Sequence, residues 1–275
     1  MNLTRSTIFE TTATVLAQTH LGNHEYEITF AALEIAQAAR PGQFLAIRFG
    51  EHYAPLLRRP FSIYRTDPDA GTLSVFYKAR GAFTSGLACK SPGDTIELLG
   101  ALGKPFVPPS LSNVRHFLIA GGYGVPPMAF LARELCAQIR ANRQEPDNVI
   151  VINGARTADL LVGMVEFAAT GATVITVTDD GTQARQGLVT DILAEFLDTD
   201  GLPPIIYACG PMPMIHAVKQ LAISRNVHCQ VSVETPMPCG IGLCAGCAVP
   251  IKSETGTAYA LACVDGPVFD AHVLA

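Results

Sequence analysis

Apolar and polar positions alternate in short runs through residues 11 to 107, which is the period of a β-strand with one buried face. Three of these runs, at 26–30, 43–49 and 73–77, carry β-branched and aromatic residues. Proline, glycine and aspartate mark turns between the runs. Many short strands at this spacing predict a small β-barrel in the first part of the chain.

The pattern changes near residue 110, where compact apolar runs begin to alternate with segments of helical period. The apolar runs, predicted as strands, are 117–120, 148–153, 172–178 and 204–208. The segments predicted as helices are 126–140, 158–169, 189–197 and 212–224. Strands that alternate with helices indicate a doubly wound α/β domain, in which a parallel sheet has helices on both faces.

A length of 275 residues suggests two domains or a domain with an appendage. We place the barrel domain at 1–109, the α/β domain at 110–228 and the appended segment at 229–275. Apolar residues make up 49% of the chain and charged residues 16%. This balance indicates deep cofactor pockets or a sizeable subunit interface.

Charge and hydropathy exclude several classes of partner. The net charge of −5 and the lack of a basic run argue against nucleic acid. The most apolar stretch, 117–132, is interrupted by glycines and prolines, so no membrane span is expected. The first residues do not have the pattern of a signal peptide, and eight cysteines in such a chain indicate a reducing cytoplasm.

Four cysteines near the end of the chain have the spacing C-x4-C-x2-C-x15-C: Cys239, Cys244, Cys247 and Cys263. A C-x4-C-x2-C run with a distant fourth cysteine is typical of a plant-type [2Fe–2S] site. Glycines within the run allow the backbone to turn sharply and to aim N–H groups at the sulfurs. We therefore predict that these cysteines ligate an iron–sulfur cluster and that the protein moves single electrons.

Two other uses of these cysteines stay open at this point. Zinc also takes four cysteines, although structural zinc sites usually draw a short-spaced pair from each side. A disulfide framework is the second alternative. The other cysteines lie in apolar or mixed segments and are expected to be buried thiols: Cys89, Cys136, Cys209 and Cys229.

The barrel part contains a run suited to a phosphorylated ring, Arg59-Pro60-Phe61-Ser62. A guanidinium pairs with a phosphate through two hydrogen bonds, and the proline holds the preceding residue in an extended conformation. The serine hydroxyl can donate to a ring nitrogen. The alternative is an edge strand with a surface arginine.

A second run in the barrel part, residues 77–85, combines positive charge with a turn. Gly81 suits a tight turn, Thr84 can cap the helix that follows, and Lys78 and Arg80 add positive charge. Backbone amides at the start of that helix would face a pyrophosphate. The alternative is an ordinary connection between a strand and a helix.

A glycine turn follows the first apolar strand of the α/β part and opens a helix, with Gly121, Gly122 and Gly124 before two prolines. This is the phosphate-binding position of a Rossmann-like domain. The strict G-x-G-x-x-G pattern fails because Pro127 stands at its last position, and proline is acceptable in the first helical turn. A plain glycine-rich turn is the alternative.

Two further turns end strands of the same sheet. Asp179 and Asp180 could bind the ribose hydroxyls of NAD and repel a 2′-phosphate, which predicts a preference for NADH over NADPH. Cys209 and Gly210 would sit close to a flat ring at the carboxyl edge of the sheet. The alternatives are a solvated turn for the aspartates and a small buried thiol for the cysteine.

Taken in order, these motifs resemble the ferredoxin–NADP reductase superfamily. The C-terminal sequence from Glu234 through the cysteine loop, with the run 263–269, resembles a narrower family. That family comprises the electron-transfer subunits of two-subunit, NAD-dependent dihydroorotate dehydrogenases. The resemblance covers the chain from about residue 11 to 272. Small departures are Ala101 at an expected proline, and Ala82-Phe83 where a second glycine is common.

The resemblance implies FAD in a six-stranded antiparallel barrel, NAD in a Rossmann-like domain and a [2Fe–2S] cluster in the C-terminal segment. The flavin contacts that it implies are Arg59, Pro60, Phe61, Ser62, Tyr77 and Lys78, with the flavin phosphates held by Gly81, Phe83, Thr84 and Ser85. The residues predicted for NAD are Gly121, Gly122, Gly124, Asp179, Asp180, Cys209 and Gly210.

The implied partner is a flavin-bearing TIM-barrel subunit that oxidises dihydroorotate to orotate, assembled with this chain as a heterotetramer. Electrons would pass from the partner flavin through the cluster and FAD to NAD, because a flavin handles both hydride and single electrons. No side chain of this chain is expected to act as a general acid or base. One alternative is an electron-transfer subunit of a ferredoxin:NAD(P) oxidoreductase, hydrogenase or sulfide-linked complex. The other is a zinc-stabilised binding module without redox activity.

Overall fold

The computed structural model describes residues 8–49, 56–111, 113–199, 201–254 and 256–275. It contains a closed barrel, a seven-stranded sheet with helices, and a short C-terminal hairpin. The predicted fold class is confirmed, including the order of the three parts along the chain. None of the helices in these ranges has the length and apolar character that crossing a bilayer requires.

The barrel has six strands, each antiparallel to its neighbours, in the closed order β1-β2-β5-β4-β3-β6. The strands are β1 (Phe9–Gly22), β2 (Glu25–Ala31), β3 (Phe44–Arg48), β4 (Arg59–Asp67), β5 (Thr72–Lys78) and β6 (Thr95–Leu102). Two short helices connect them, α1 (Leu33–Ala38) and α2 (Ala82–Ala88). Closure leaves the barrel without exposed strand edges.

Strand β3 separates two hydrophobic cores because side chains alternate across a strand. Leu45 and Ile47 belong to the core inside the barrel. Phe44 and Ala46 point the other way and belong to a core shared with the α/β domain and the C-terminal segment. The barrel is therefore packed against the C-terminal segment through β3.

The second domain has the strand order β10-β9-β8-β7-β11-β12-β15, and all neighbours up to β12 are parallel. Its strands are β7 (Arg115–Gly121), β8 (Val149–Ala155), β9 (Thr173–Thr178), β10 (Arg185–Gln186), β11 (Pro204–Cys209) and β12 (His228–Ser232). Its helices are α3 (Val125–Ala141), α4 (Met164–Ala168), α5 (Val189–Leu197) and α6 (Met212–Ser224).

Helices cover both faces of this sheet, as predicted. Along β7, Phe117 and Ile119 join the core that contains residues of α5 and α6, and Leu118 and Ala120 join the core that contains residues of α3 and α4. Phe130 of α3 belongs to the core of the barrel. This shared packing fixes the two domains against each other.

The helix predicted over 158–169 is wrong in its extent. A single 3₁₀ turn at Ala158–Leu160 is followed by an extended stretch and by the short helix α4. Gly163 separates the two pieces with a φ of +78°, a conformation that favours glycine and breaks a helix. The apolar period alone does not reveal this break.

The C-terminal segment contains β13 (Ala248–Ser253), β14 (Gly256–Leu261) and β15 (Val268–Asp270). The first two form an antiparallel hairpin, and β15 pairs with β12 at the edge of the large sheet. Strand β12 crosses the predicted domain boundary at residue 229. We propose that the cluster-binding segment starts after Ser232, because β12 pairs with β11 as part of the α/β sheet.

Candidate cofactor sites

The four predicted cluster ligands lie in one loop and at the end of the neighbouring hairpin. The sulfurs of Cys247 and Cys263 are 3.2 Å apart, and both side chains are buried. Cys239 is half-buried and Cys244 is exposed. The two buried thiols are close enough to bind a single iron, and the tail folds back beside the loop as the sequence predicted.

Backbone N–H groups of the loop point at the sulfurs. Gly242 donates to Cys263 Sγ at 3.2 Å, Cys244 donates to Cys239 Sγ at 3.4 Å, and Gly246 donates to Cys244 Sγ at 3.4 Å. Such bonds favour thiolates, the form that binds iron, and they adjust the potential of a bound cluster.

The thiols differ in acidity because their surroundings differ. Desolvation raises the pKa of Cys239, but the N–H groups of Ile241 and Cys244 outweigh it and lower that pKa to about 6. Burial raises the pKa of Cys263 to about 12, and the neighbouring thiol of Cys247 adds to the rise. The loop thus offers a thiolate at neutral pH at Cys239, and metal binding must displace a proton from Cys263.

Two glycines shape the loop around the sulfurs. Gly240 and Gly242 have φ angles of +73° and +82°, which favour glycine. A Cβ on Gly242 would lie 2.8 Å from Val264 Cγ2, and a Cβ on Gly240 would lie 3.3 Å from Leu102 Cδ1. The loop can therefore lie close to both neighbours only with glycine at these positions, and its donor set and shape fit an iron–sulfur cluster.

The geometry also bears on the two alternatives for the four cysteines, a disulfide framework and a zinc site. All eight cysteines are free thiols, and the 3.2 Å between Cys247 and Cys263 exceeds the roughly 2.05 Å of a disulfide bond. Within the described ranges, no three His, Cys, Asp or Glu side chains are arranged around one point that suits a single metal ion. A cluster with two irons needs no such point, because its four cysteines are shared between the irons.

A cavity of about 310 Å³ lies where the barrel, the α/β domain and the C-terminal segment meet. The predicted flavin contacts that line it are Pro60, Phe61, Ser62, Tyr77, Lys78 and Thr84. Cys209, Gly210 and Gly124 of the α/β domain also line it. Burial raises the pKa of Tyr77 to about 12, and Gln18 Nε2 donates to its hydroxyl at 2.6 Å. Tyr77 is therefore neutral and fixed in position.

Four predicted flavin contacts do not line this cavity: Arg59, Gly81, Phe83 and Ser85. The Arg59 guanidinium donates to the Leu57 carbonyl at 2.9 Å and lies 5.7 Å from the centroid of the Phe83 ring. Thr84 Oγ1 accepts the N–H groups of Arg80 and Gly81 at the start of α2. The turn is thus capped as predicted, and the phosphate role of these residues stays a prediction.

A second cavity, of about 650 Å³, opens at the carboxyl edge of the sheet, within the usual size of ligand pockets. The predicted NAD contacts that line it are Gly121, Gly122, Gly124, Asp179 and Gly210. It shares a wall with the first cavity, formed by Lys78, Arg80, Tyr123, Gly124, Gly210 and Glu234. The two cavities therefore meet at the glycine turn after β7.

The glycine turn packs directly against the turn after β11. A Cβ on Gly124 would overlap the carbonyl of Cys209, and a Cβ on Gly121 would lie 2.7 Å from Met214 Sδ. From the sequence alone, a glycine that close packing requires cannot be distinguished from a glycine that binds a phosphate. At Gly122, with a φ of +51°, the space of a Cβ is open.

The side chain of Cys209 is half-buried from solvent but densely surrounded by protein atoms. This desolvation raises the pKa of its thiol to about 12. Cys209 therefore presents a neutral thiol to the first cavity at neutral pH. It has the low reactivity expected of a buried thiol although it lines a cofactor cavity.

The two aspartates predicted to bind ribose lie in different settings. Asp179 lines the second cavity. Asp180 does not line that cavity, and its Oδ1 accepts the N–H and the hydroxyl of Thr182 at 3.0 and 2.7 Å. These hydrogen bonds lower the pKa of Asp180. Of the two aspartates, Asp179 alone lines the cavity, and the ribose role of both stays a prediction.

The structure adds residues that the sequence did not single out as cofactor contacts. Phe44, Tyr123, Glu234, Met237 and Pro267 line the first cavity. Arg156 and Leu188 line the second cavity. Glu234 and Met237 lie in the run just before the cysteine loop. This proximity to the motif is the sequence signal that could have identified them. Nothing in the pattern of β3 marks Phe44 as a cavity residue.

Comparisons with known proteins agree with this geometry. Residues 234–275 match the iron-sulfur cluster binding domain of dihydroorotate dehydrogenase B. Residues 118–220 match the oxidoreductase NAD-binding domain. The chain is 38% identical over 260 residues to the dihydroorotate dehydrogenase B (NAD(+)) electron transfer subunit of Geobacillus thermodenitrificans, covering 94% of this chain and 95% of the relative. The corresponding subunit of Caldanaerobacter subterraneus is 34% identical over 258 residues.

Solved structures show the same architecture. The structure of an NADH-dependent reduced ferredoxin-NADP oxidoreductase superposes with a TM-score of 0.78 at 26% identity, covering 96% of this chain and 89% of the other. The cytochrome b5 reductase domain of Ulva prolifera nitrate reductase superposes with a TM-score of 0.62 over 79% of this chain and 93% of that domain. At 18% identity, the latter shows the fold alone.

The fold and the sites define an NAD-linked oxidoreductase that has the architecture of ferredoxin–NADP reductases and an added iron–sulfur segment. Its cofactors are FAD, NAD and a [2Fe–2S] cluster. The chain belongs to the family of dihydroorotate dehydrogenase B (NAD(+)) electron transfer subunits. It therefore carries electrons between NAD and a catalytic partner.

Proposed function

We propose that this chain passes electrons between NAD and a flavin-bearing catalytic subunit that oxidises dihydroorotate to orotate. The two kinds of chain would assemble as a heterotetramer in the cytoplasm. The cysteine loop carries this proposal, because it matches the cluster-binding domain of dihydroorotate dehydrogenase B within a chain that matches the curated subunits over 94% of its length. Eight unpaired cysteines suit a reducing compartment.

Each part of the chain has a separate task in this proposal. A bound flavin supplies both two-electron exchange with NAD and one-electron exchange with an iron–sulfur cluster. Phe61, Ser62 and Tyr77 would hold the flavin ring, and the shared wall of the two cavities would bring the nicotinamide against it. The neutral thiol of Cys209 and the adjoining Gly210 would fix that approach without taking part in proton transfer.

The exposed side of the cluster loop is suited to the partner. Leu243 is 81% exposed and stands next to the exposed ligand Cys244. Ile241 and Val264 are also exposed beside the loop, and the side chain of Val264 approaches Gly242. Apolar residues that remain exposed around a redox site indicate a docking surface for another protein.

Co-purification with the catalytic subunit tests the proposal. The native complex should contain both chains and should reduce NAD⁺ when dihydroorotate is added, and the Leu243→Asp variant should lose the partner. Val165→Asp is the control, because Val165 is 77% exposed on α4, far along the chain from the cluster loop. A chain that never associates with a dihydroorotate-oxidising subunit would contradict the proposal.

A second candidate function has the same electron-transfer chemistry but a different protein partner. The structure of an NADH-dependent reduced ferredoxin-NADP oxidoreductase covers 96% of this chain with a TM-score of 0.78. An electron-transfer subunit for a ferredoxin-linked partner is therefore the alternative. Reduction of ferredoxin by NADH in the native complex, without oxidation of dihydroorotate, would favour it.

A further inference from the structure

Two residues with no assigned role form part of the wall of the first cavity on the side of the cluster loop. Phe44 of β3 and Met237 both line the cavity, and both are buried. They belong to the same hydrophobic core as the cluster ligands Cys247 and Cys263. The wall therefore touches the flavin side and the cluster side at once.

The Phe44 ring is enclosed by two glycines. The space that a Cβ on Gly240 would fill is 3.7 Å from Phe44 Cε2, and the corresponding space at Gly103 is 3.0 Å from Phe44 Cε1. Gly240 directly follows the ligand Cys239. A Cβ on Gly103 would press on the ring, whereas the Gly240 position is at ordinary van der Waals distance from it. The ring therefore lies against the cluster loop.

Met237 reaches the same loop through the backbone. Its side chain lines the cavity, and only Pro238 separates it from Cys239 in the sequence. Methionine is a flexible side chain that fills irregular gaps in a core. Phe44 thus adjoins the cluster loop by packing, and Met237 adjoins it through the covalent chain.

We propose that Phe44 and Met237 are positioning residues that set the electronic contact between FAD and the cluster. One electron crosses this wall from the reduced centre to the oxidised centre in each step, and no bond of either side chain forms or breaks. Electron tunnelling weakens steeply across empty space and less steeply through packed atoms. A cavity left by a smaller side chain is filled only partly by relaxation of its surroundings. This inference rests on the electron path proposed above.

The test compares the holoprotein with its variants in anaerobic rapid mixing with NADH, with FAD in excess. Phe44→Leu and Phe44→Ala should slow cluster reduction several-fold relative to flavin reduction in the same protein, with the larger effect for alanine. Met237→Ala should act in the same way, and the volume-conserving Met237→Leu should restore most of the rate. Phe30→Leu is the matched control, because Phe30 is fully buried inside the barrel and lines neither cavity.

Two readouts that do not depend on turnover accompany the rates. The EPR spectrum of the reduced cluster and the iron content should match the wild type, and Phe44→Ala should bind FAD more weakly than Phe30→Leu. Equal rates of cluster reduction in the Phe44 variants and in Phe30→Leu would overturn the inference. So would a loss of flavin reduction as large as the loss of cluster reduction. Failure of the proposed path itself is distinguishable, since the wild-type cluster would then stay oxidised with NADH.

Discussion

The sulfurs of Cys247 and Cys263 lie 3.2 Å apart although sixteen positions separate them in the sequence. The hairpin of β13 and β14 explains this proximity, because it pairs Ala248 with Leu261 and so brings the two flanking cysteines together. The N–H of Ala262 also donates to the carbonyl of Cys247 at 3.0 Å. The fourth ligand is therefore delivered by a folded hairpin, and the cluster site depends on that hairpin.

Replacing one of these two ligands should remove the cluster and spare the flavin reaction. Cys263→Ser should lower the iron and acid-labile sulfide content of the anaerobically purified protein and abolish the EPR signal of the reduced cluster, because a buried serine is a poor ligand for iron. Cys244→Ser should act in the same way. NADH should still bleach the flavin in both variants. Cys89 is exposed and not buried as the sequence predicted, and Cys89→Ser, outside the loop, should behave as the wild type. Loss of flavin reduction in a folded Cys244→Ser protein would contradict the order of the cofactors.

Gly124→Ala should destabilise the junction between the two cavities. The added Cβ would overlap the carbonyl of Cys209, and overpacking of this kind costs roughly 1–3 kcal/mol or more. Urea unfolding measures the change in the free energy of unfolding. Gly81→Ala is the control, because the space of its Cβ is open. Equal stability of the two variants would show that the glycine turn is not closely packed.

Asp179 should set the preference for NADH, and Asp180 should contribute little. Asp179 lines the second cavity, where its charge would repel a 2′-phosphate, whereas Asp180 is held by Thr182. Asp179→Asn should raise kcat/KM for NADPH relative to NADH by roughly tenfold, which corresponds to about 1.4 kcal/mol. Asp180→Asn should change this ratio much less. A wild-type preference for NADPH, or equal effects of the two substitutions, would contradict this assignment.

Alkaline pH should weaken the fold through its desolvated thiols. The pKa of Cys209 is raised from its ordinary value of 9 to about 12 by burial, and burial raises the pKa of Cys229 in the same way. The folded chain thus holds these protons more tightly than the unfolded chain, so their contribution to stability is complete below pH 9 and is lost as the pH rises through 12.

Urea unfolding at several pH values between about 7 and 11 checks this dependence. The decline in stability above pH 9 should be shallower in Cys209→Ala than in the wild type. Cys89→Ala, at an exposed cysteine, should leave the slope unchanged. A slope that is the same in all three proteins would show that Cys209 does not hold its proton more tightly when folded.

Much of the fold could be predicted from the sequence because the patterns that indicate it are local. The strand periods predicted the barrel and the alternating α/β domain, and both are confirmed. The cysteine spacing predicted the cluster, since ligands within one loop are close in sequence as well as in space. The match to the cluster-binding domain over residues 234–275 agrees with that reading.

The cavities were harder to predict from the sequence because residues from distant segments of the chain line them. Phe44 lines the first cavity only because β3 turns that side chain out of the barrel and toward the C-terminal segment. Asp179 and Asp180 are adjacent in sequence, yet Asp179 lines the cavity and Asp180 is hydrogen-bonded to Thr182. The Arg59 guanidinium contacts a neighbouring carbonyl and the Phe83 ring, and its role as a phosphate partner stays a prediction.

Anaerobic titration of the purified chain with NADH, followed by visible absorption and EPR, shows whether electrons pass from NADH through FAD to the cluster. We expect the flavin absorption to bleach and the EPR signal of a reduced [2Fe–2S] cluster then to grow, in wild type but not in Cys263→Ser. A colourless protein that retains zinc, or a cluster that stays oxidised while the flavin is fully reduced, would contradict it.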